Sequence, residues 1–444
     1  MRQNISLLNV RNRPPAAAGL VPLLKERQLH PFPDEPCAYK TRNACLGCRK
    51  PGWIQFQDRV AMVLQGRYSQ VMPVSFEVVP SLDCNCGCPH CPYRAYGQRG
   101  CRGSPPGLME WEAMRRILDE LARHRVGVLW TGGGEPPMCP CLRAGVAYTA
   151  CRGIPQGIYT NGTLLDSHRF DELSDAKPEF IRFSLNAATS ATHAKFFGYP
   201  LELEYFSKVQ RVLEYAAACR RTGGAPPRVG ASVIFDHRNV GELKATAELL
   251  LKMAPSGGID LLLVRPVLNY RRFCCQVGPA VLDTAYEILG PGSEVRERLE
   301  TAGIAVALGY GLAQWNPCRN YRSFWERGFT TCRASGWFGV VFPRGDVYPC
   351  PETAGQPDFC IGNLLEQSLE EIWSGRRRQE LIDRVNNDQE FRDAHCPPRC
   401  RPGRLNAIFE GIESWRRRGE LPRVEKWIDD LRYEYDGAPG LILG

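Results

Sequence analysis

The chain has 444 residues and a formal net charge of +8, from 56 Lys and Arg against 48 Asp and Glu. This length allows two or three domains with a large core. Basic and acidic residues are interspersed, without the basic and aromatic block of a nucleic-acid surface. We find no apolar run of membrane-spanning length, and the polar, proline-broken amino end is unlike a signal peptide. We therefore expect a cytoplasmic protein that binds neither nucleic acid nor membrane.

The 20 cysteines fall in groups along the chain. In a reducing cytosol such groups indicate metal ligands rather than disulfides. The first group lies in residues 1–71, an extension rich in Pro, Arg and Gly. Within it, Cys37, Cys45 and Cys48 include a C-x2-C pair. These thiols could bind a further metal, although such pairs also arise by chance in a cysteine-rich chain.

Short strand-like runs alternate with amphipathic, helix-period segments from about residue 72 to residue 268. Alternating β and α units predict an α/β fold whose parallel sheet is covered by its crossover helices. Parallel barrels carry their chemistry at the carboxyl ends of the strands. Six strand-like runs are recognised, at 74–79, 126–133, 157–162, 180–187, 228–235 and 258–267.

The first of these runs leads into a cysteine-rich loop, SLDCNCGCPHC, at 81–91. Cys84, Cys88 and Cys91 stand in a C-x3-C-x2-C spacing, so three thiolates can converge from one loop. This set suits a [4Fe–4S] cluster in which one iron stays open for a small chelating molecule. Because Cys86 and His90 lie in the same loop, a closed structural zinc site is the alternative.

Two further motifs follow at strand ends. TGGGEP, at 131–136, closes the second strand, where glycines let the backbone approach a ligand closely. In RFSLN, Ser184 and Asn186 alternate with apolar neighbours, so both point to one side of their strand. They could bind a polar ligand, or satisfy local backbone groups.

The three-cysteine loop followed by TGGGEP resembles the radical S-adenosylmethionine (radical SAM) enzymes. Two departures are His90, where the family usually has an aromatic residue, and the additional thiol of Cys86. The resemblance implies a partial (β/α)6, TIM-like barrel over residues 72–275. It also implies that SAM chelates the open iron and is cleaved to a 5′-deoxyadenosyl radical. The electron would come from a donor such as flavodoxin or ferredoxin.

The resemblance further assigns SAM-binding roles to residues at the strand ends. Arg265 would pair with the methionine carboxylate, or form an interdomain salt bridge instead. Tyr93 would contact adenine, or serve in packing. The SAM amino group, ribose or carboxylate would be bound by Gly132, Gly133, Gly134, Glu135, Ser184 and Asn186.

Residues 276–330 are predicted to be a linker with a helix and a strand-like run, IAVALGYG. The segment just before it would face the open mouth of the barrel. Cys274 and Cys275 in that segment are therefore candidates for a thiol that donates hydrogen to the substrate. The roles of Cys139, Cys141 and Cys151 stay open.

A second cysteine signature lies in residues 331–405. GVVFPRGDVYPC predicts a β-hairpin with Arg344 and Gly345 at its turn, and a helix begins near Leu369. The segment resembles the twitch domain, a shortened SPASM domain, which implies one auxiliary [4Fe–4S] cluster. Cys360 is a spare ligand, and a zinc site is the alternative. The implied ligands are Cys332, Cys350, Cys396 and Cys400.

Residues 406–444 are predicted to be a helical tail. The leading hypothesis for function is hydrogen abstraction from a carbohydrate-like small molecule in antibiotic biosynthesis. An auxiliary cluster would favour dehydrogenation, and a nearby thiol would favour epimerisation. Modification of a ribosomal peptide is the second hypothesis, and a zinc scaffold without catalysis is the third.

Overall fold

A computed structural model describes residues 59–419, with gaps at 60–61, 64, 92, 94–106, 224–226, 256, 268–276, 310–311, 313–314, 316–326, 328, 398–399 and 401. The predictions for Cys37, Cys45 and Cys48, and those for Cys274 and Cys275, lie outside the described residues. So does most of the predicted tail.

The strands of the described chain form one sheet in the order β10-β9-β8-β1-β2-β3-β4-β5-β6-β7. Neighbours from β8 through β1 to β7 are parallel, whereas β9 and β10 are antiparallel. The bounds are β1 Ser75–Val78, β2 Gly127–Trp130, β3 Gln156–Thr160, β4 Phe180–Ser184, β5 Arg228–Phe235, β6 Leu261–Pro266, β7 Ala305–Leu308, β8 Phe338–Val341, β9 Asp346–Tyr348 and β10 Gly362–Asn363.

Helices follow most of the parallel strands, as the alternating pattern predicted. The α/β class and the partial barrel are confirmed, and β7, in the predicted linker, extends the parallel sheet beyond β6. The helices are α1 Trp111–Arg123, α2 Leu142–Cys151, α3 Ser167–Ser174, α4 Ser190–Phe197, α5 Tyr205–Gly223, α6 Leu243–Met253, α7 Pro279–Leu289, α8 Glu294–Thr301, α9 Leu369–Ser374, α10 Arg376–Asn387, α11 Gln389–His395 and α12 Gly403–Arg417.

The two faces of the sheet carry different side chains because alternate strand residues point in opposite directions. Val128 and Trp130 of β2 belong to the main core, together with the apolar stripe of α1. Leu129, between them, packs with Phe180 and Tyr159 in a separate small cluster. The helices therefore cover one face, and the other face lines the inside of the barrel.

The small carboxyl-terminal domain continues the sheet of the barrel. β8 pairs in parallel with β1, and Trp373 of α9 packs against Phe76 of β1 with 5.6 Å between ring centroids. The hairpin has the predicted turn, where Gly345 adopts φ +85° and donates to the Phe342 carbonyl at 2.8 Å. Within the described ranges, no helix is both long enough and apolar enough to traverse a lipid bilayer.

The packing between β1 and β8 predicts that Gly339 cannot be replaced by a residue with a side chain. A Cβ at Gly339 of β8 would lie 2.2 Å from Cζ of the fully buried Phe76 ring. We expect Gly339→Ala to destabilise the fold by about 1–3 kcal/mol, as overpacking in a closed core does. The measurement is the urea unfolding midpoint under anaerobic conditions.

Gly241→Ala is the matched control, because no atom lies within 4 Å of a Cβ at that position. Equal midpoints for the two variants would contradict the packing described for β1 and β8.

Candidate active site

The carboxyl ends of β1 to β6 surround a cavity of about 250 Å³. The structure places most of the predicted site residues on its wall. Gly133 is the exception, because a Cβ there would lie 2.4 Å from Leu82 Cδ2, on the core side. The predicted residues that line the cavity are Cys84, Cys88, Cys91, Tyr93, Gly132, Gly134, Glu135, Ser184, Asn186 and Arg265.

The cysteine loop is held by its backbone and by one additional thiol. Gly87 N donates to the Phe197 carbonyl at 2.8 Å, and Cys91 N donates to the Cys88 carbonyl at 3.2 Å. Cys86 also lines the cavity, but it is buried against Phe197 and accepts a hydrogen bond from Asn161 Nδ2 at 3.5 Å. Cys84, Cys88 and Cys91 all reach the cavity. Three thiols on one loop fit a [4Fe–4S] cluster with one open iron.

His90 occupies the position where the resemblance calls for an aromatic residue. Its ring lies 4.3 Å from the Phe196 ring, and Arg238 Nη2 is 3.4 Å from its Nδ1. Arg238 in turn pairs with buried Asp236. Burial, and then the charge of Arg238, lowers the pKa of His90 to about 4. A neutral imidazole therefore fills the aromatic position.

The glycine motif packs directly on the cysteine loop. A Cβ at Gly134 would lie 2.0 Å from the Asp83 carbonyl oxygen, and one at Gly132 would lie 1.8 Å from the Gly134 carbonyl oxygen. Glu135 N donates to the Asp83 carbonyl at 2.9 Å. Glycine is thus required here for contact between two protein segments, in addition to the expected approach to a ligand.

Glu135 links the glycine motif to the end of β3. Its carboxylate accepts hydrogen bonds from the Thr160 hydroxyl and from Asn161 N, the latter at 2.9 Å. Burial raises the pKa of Glu135 to about 8, although both hydrogen bonds act in the opposite direction. Asn161 Nδ2 then donates to Asn85 Oδ1 at 3.0 Å, which fastens the cysteine loop to β3.

Asn186 and Tyr93 serve local contacts besides lining the cavity. Asn186 Oδ1 accepts a hydrogen bond from Ile234 N of β5 at 2.8 Å. This is the alternative stated above, in which the side chain satisfies a local backbone group. The Tyr93 hydroxyl donates to Glu77 Oε2 at 3.4 Å, and its ring lies 6.3 Å from that of Phe342.

Sequence reasoning missed several residues of the cavity wall. Glu77, Tyr159, Arg182 and Ser232 line it and were not predicted. The period of the strands could have identified Arg182, which precedes Ser184 by two residues and so shares its face of β4.

The four predicted cysteines of the small domain come together. Burial raises the pKa of Cys396 to about 12, and the neighbouring Cys332 raises it further. Burial also raises the pKa values of Cys350 and Cys400, and for both Cys332 and Cys396 add to the effect. All four side chains are half-buried, and four neighbouring cysteines are the ligand set expected for the predicted auxiliary cluster.

Two asparagines position the first of these cysteines. Asn386 Oδ1 accepts from Cys332 N at 2.8 Å, and Asn406 Nδ2 is 3.6 Å from Cys332 Sγ. Cys360, the spare ligand in the sequence, is disulfide-bonded and so is not a free fifth thiol.

A parallel partial barrel with a three-cysteine loop at its carboxyl end, joined to a four-cysteine domain, defines an iron–sulfur enzyme with two metal centres. The chain contains a radical SAM domain, because the sequence model of that superfamily matches residues 78–250. The SPASM iron–sulfur cluster-binding domain matches residues 332–402. The cofactors are therefore a [4Fe–4S] cluster, SAM and an auxiliary iron–sulfur cluster, and the zinc-scaffold hypothesis is wrong.

Three relatives match between 60% and 65% of this chain. The tungsten-containing aldehyde ferredoxin oxidoreductase cofactor-modifying protein of Pyrococcus furiosus is 26% identical over 282 residues, which cover 61% of this chain and 74% of that protein. A mycofactocin maturase of Mycobacterium ulcerans is 26% identical over 291 residues, covering 65% and 71%. A PqqA peptide cyclase of Xanthomonas axonopodis is 23% identical over 274 residues, covering 60% and 66%.

Solved structures support the fold. Streptococcus suis SuiB bound to S-adenosylmethionine has a TM-score of 0.54 and 17% identity, covering 75% of this chain and 72% of that one. SuiB bound to its precursor peptide SuiA has a TM-score of 0.53 and 16% identity, covering 80% and 75%.

Single cysteine variants test the ligands of the first cluster. We expect Cys84→Ala, Cys88→Ala and Cys91→Ala each to lower anaerobically loaded iron from about eight to about four atoms per chain. Each should also abolish 5′-deoxyadenosine formation. Cys86→Ala is the control within the same loop and should keep both. Retained deoxyadenosine formation in any of the three would overturn the assignment.

The auxiliary ligands have a corresponding test. We expect Cys332→Ala or Cys350→Ala to lower the iron content to about four atoms, while reductive SAM cleavage by the barrel persists. Iron and sulfide analysis, with deoxyadenosine measured in parallel, checks both parts. Cys360→Ala should keep about eight iron atoms, and a loss of iron in that variant would place Cys360 among the ligands.

Proposed function

We propose that this radical SAM enzyme modifies a ribosomally made peptide. The observation that carries the proposal is similarity over 65% of the chain to a mycofactocin maturase and over 60% to a PqqA peptide cyclase. A fold shared with SuiB, which has been solved with its precursor peptide, agrees with it. These comparisons favour the peptide hypothesis over the epimerase or dehydrogenase of a carbohydrate-like substrate that the sequence first suggested.

Cys84, Cys88 and Cys91 would hold the first cluster, which together with SAM supplies a radical able to take hydrogen from an unactivated C–H bond. The protein's own part is to position the substrate and exclude water. Glu135 and Asn161 fix the cysteine loop to β2 and β3 from a buried position. The cluster would thus keep one position relative to the cavity.

Polar groups on the cavity wall would orient SAM and the substrate. Ser184 and Ser232 are Cα partners on β4 and β5, and Arg265 follows on β6. Their hydroxyl and guanidinium groups can bind the polar parts of SAM. Tyr93 and Glu77 lie on the β1 side of the same cavity. A substrate segment would therefore meet polar groups on both sides of the barrel.

The test uses the complete, cluster-loaded enzyme under reducing, anaerobic conditions. We expect deoxyadenosine from SAM, and more of it with a short peptide encoded beside the enzyme's gene. That peptide should change mass, by loss of two hydrogen atoms in a dehydrogenative reaction. Mass spectrometry and peptide mapping measure the change, with Cys84→Ala as the inactive control.

The carbohydrate hypothesis predicts a different outcome. Deoxyadenosine formation stimulated by an aminocyclitol or oligosaccharide, with every neighbouring peptide left unchanged, would refute the peptide proposal. In deuterated water, one solvent deuterium at an inverted carbon would identify an epimerase.

A further inference from the structure

Cys332, the first cysteine of the small domain, is held by asparagine side chains from two helices. Asn386, on α10, bonds to its backbone: Oδ1 accepts from Cys332 N at 2.8 Å, and Nδ2 donates to the Cys332 carbonyl at 3.4 Å. Asn406, on α12, bonds to its sulfur, because Nδ2 donates to Cys332 Sγ at 3.6 Å. The two asparagines therefore act on different atoms of the same cysteine.

The hydrogen bonds of Asn406 fix the orientation of its amide. Oδ1 accepts from Arg333 N at 2.7 Å and from Ala334 N at 2.6 Å. Because two backbone donors require an acceptor, the oxygen must face this backbone and the NH2 group must face Cys332 Sγ. Asn406 is 0% exposed. Its donor is thus directed at the sulfur and shielded from bulk water.

Helix α12 begins beside a second predicted cluster ligand. Gly403, its first residue, donates its N–H to the Cys400 carbonyl at 3.0 Å. A Cβ at Gly403 would lie 3.4 Å from Cys400 Sγ. One turn further along α12, Asn406 reaches Cys332. The same helix therefore starts at one predicted ligand and presents a hydrogen-bond donor to another.

A donor directed at a ligand sulfur favours the reduced form of an iron–sulfur cluster. Reduction adds one negative charge, and hydrogen bonds to the sulfurs are among the features that set the reduction potential. A hydrogen bond to a more strongly charged acceptor is stronger, and buried surroundings of low dielectric increase the difference. A tenfold change in this preference is about 59 mV for one electron.

We propose that Asn406 raises the reduction potential of the auxiliary cluster through its hydrogen bond to Cys332 Sγ. Asn406 is a positioning residue, because it acts through a ligand and does not touch the substrate. The inference goes beyond the proposed function, since it concerns the metal centre and holds whatever the substrate is.

The experiment is a redox titration followed by EPR. Every sample is the complete, cluster-loaded chain with Cys84→Ala, so that the auxiliary cluster alone gives the signal. We expect Asn406→Leu, which removes the donor without adding charge, to favour the oxidised form about tenfold and to lower the potential by about 59 mV. Asn386→Leu is the matched control. It loses hydrogen bonds to the backbone of the same cysteine and should keep the potential of the parent chain.

A second variant covers failure of Asn406→Leu to fold, since that change removes the acceptor of Arg333 N and Ala334 N. Asn406→Asp keeps an acceptor for both groups, and their hydrogen bonds favour its ionised form. An ionised carboxylate cannot donate to sulfur. The potential should fall at least as far as in Asn406→Leu, because the added negative charge also opposes reduction. Iron and sulfide analysis measures cluster loading in each variant.

An unchanged potential in the loaded fraction of Asn406→Leu or Asn406→Asp would overturn the inference. That result, with or without a lower iron content, would leave Asn406 a structural role only. An equal fall in Asn386→Leu would also overturn it, because the effect would then not come from the bond to sulfur. The proposed function is tested separately, since these potentials are measured without any peptide.

Discussion

The contact between the glycine motif and the cysteine loop is the constraint on which the site depends. Gly134 lies so close to the Asp83 carbonyl that a single methyl group would not fit between them. Glu135, the next residue, donates its N–H to that carbonyl and accepts from Thr160 and Asn161. Three strand ends thereby fix one loop, and the three cysteine thiols are presented to the cavity from a preorganised backbone.

The backbone architecture was largely predictable because its signals are local and repeated. The apolar runs predicted the parallel strands, and Gly345 predicted the turn of the hairpin. The pairing of β8 with β1 was not predictable, since it joins segments more than 250 residues apart in sequence. The sequence pattern indicates that IAVALGYG is a strand, but it does not show which strand this segment pairs with. The prediction therefore placed it in a linker, whereas it forms β7 of the sheet.

The site was predictable where one motif carries several ligands. Cys84, Cys88 and Cys91 share a loop, so their spacing alone brings them together. The sequence could not show that Gly133, unlike Gly132 and Gly134, faces away from the cavity. That difference depends on the position of Leu82 in the fold. Tyr159 and Arg182 meet only through the register of β3 and β4.

The β1–β8 ladder also joins the two sets of cysteines. The cysteine loop follows β1, and Cys350 follows the hairpin that β8 begins. Backbone hydrogen bonds between these strands place both domains on one continuous sheet. A slip in the register between β1 and β8 would therefore shift one set of cysteines relative to the other.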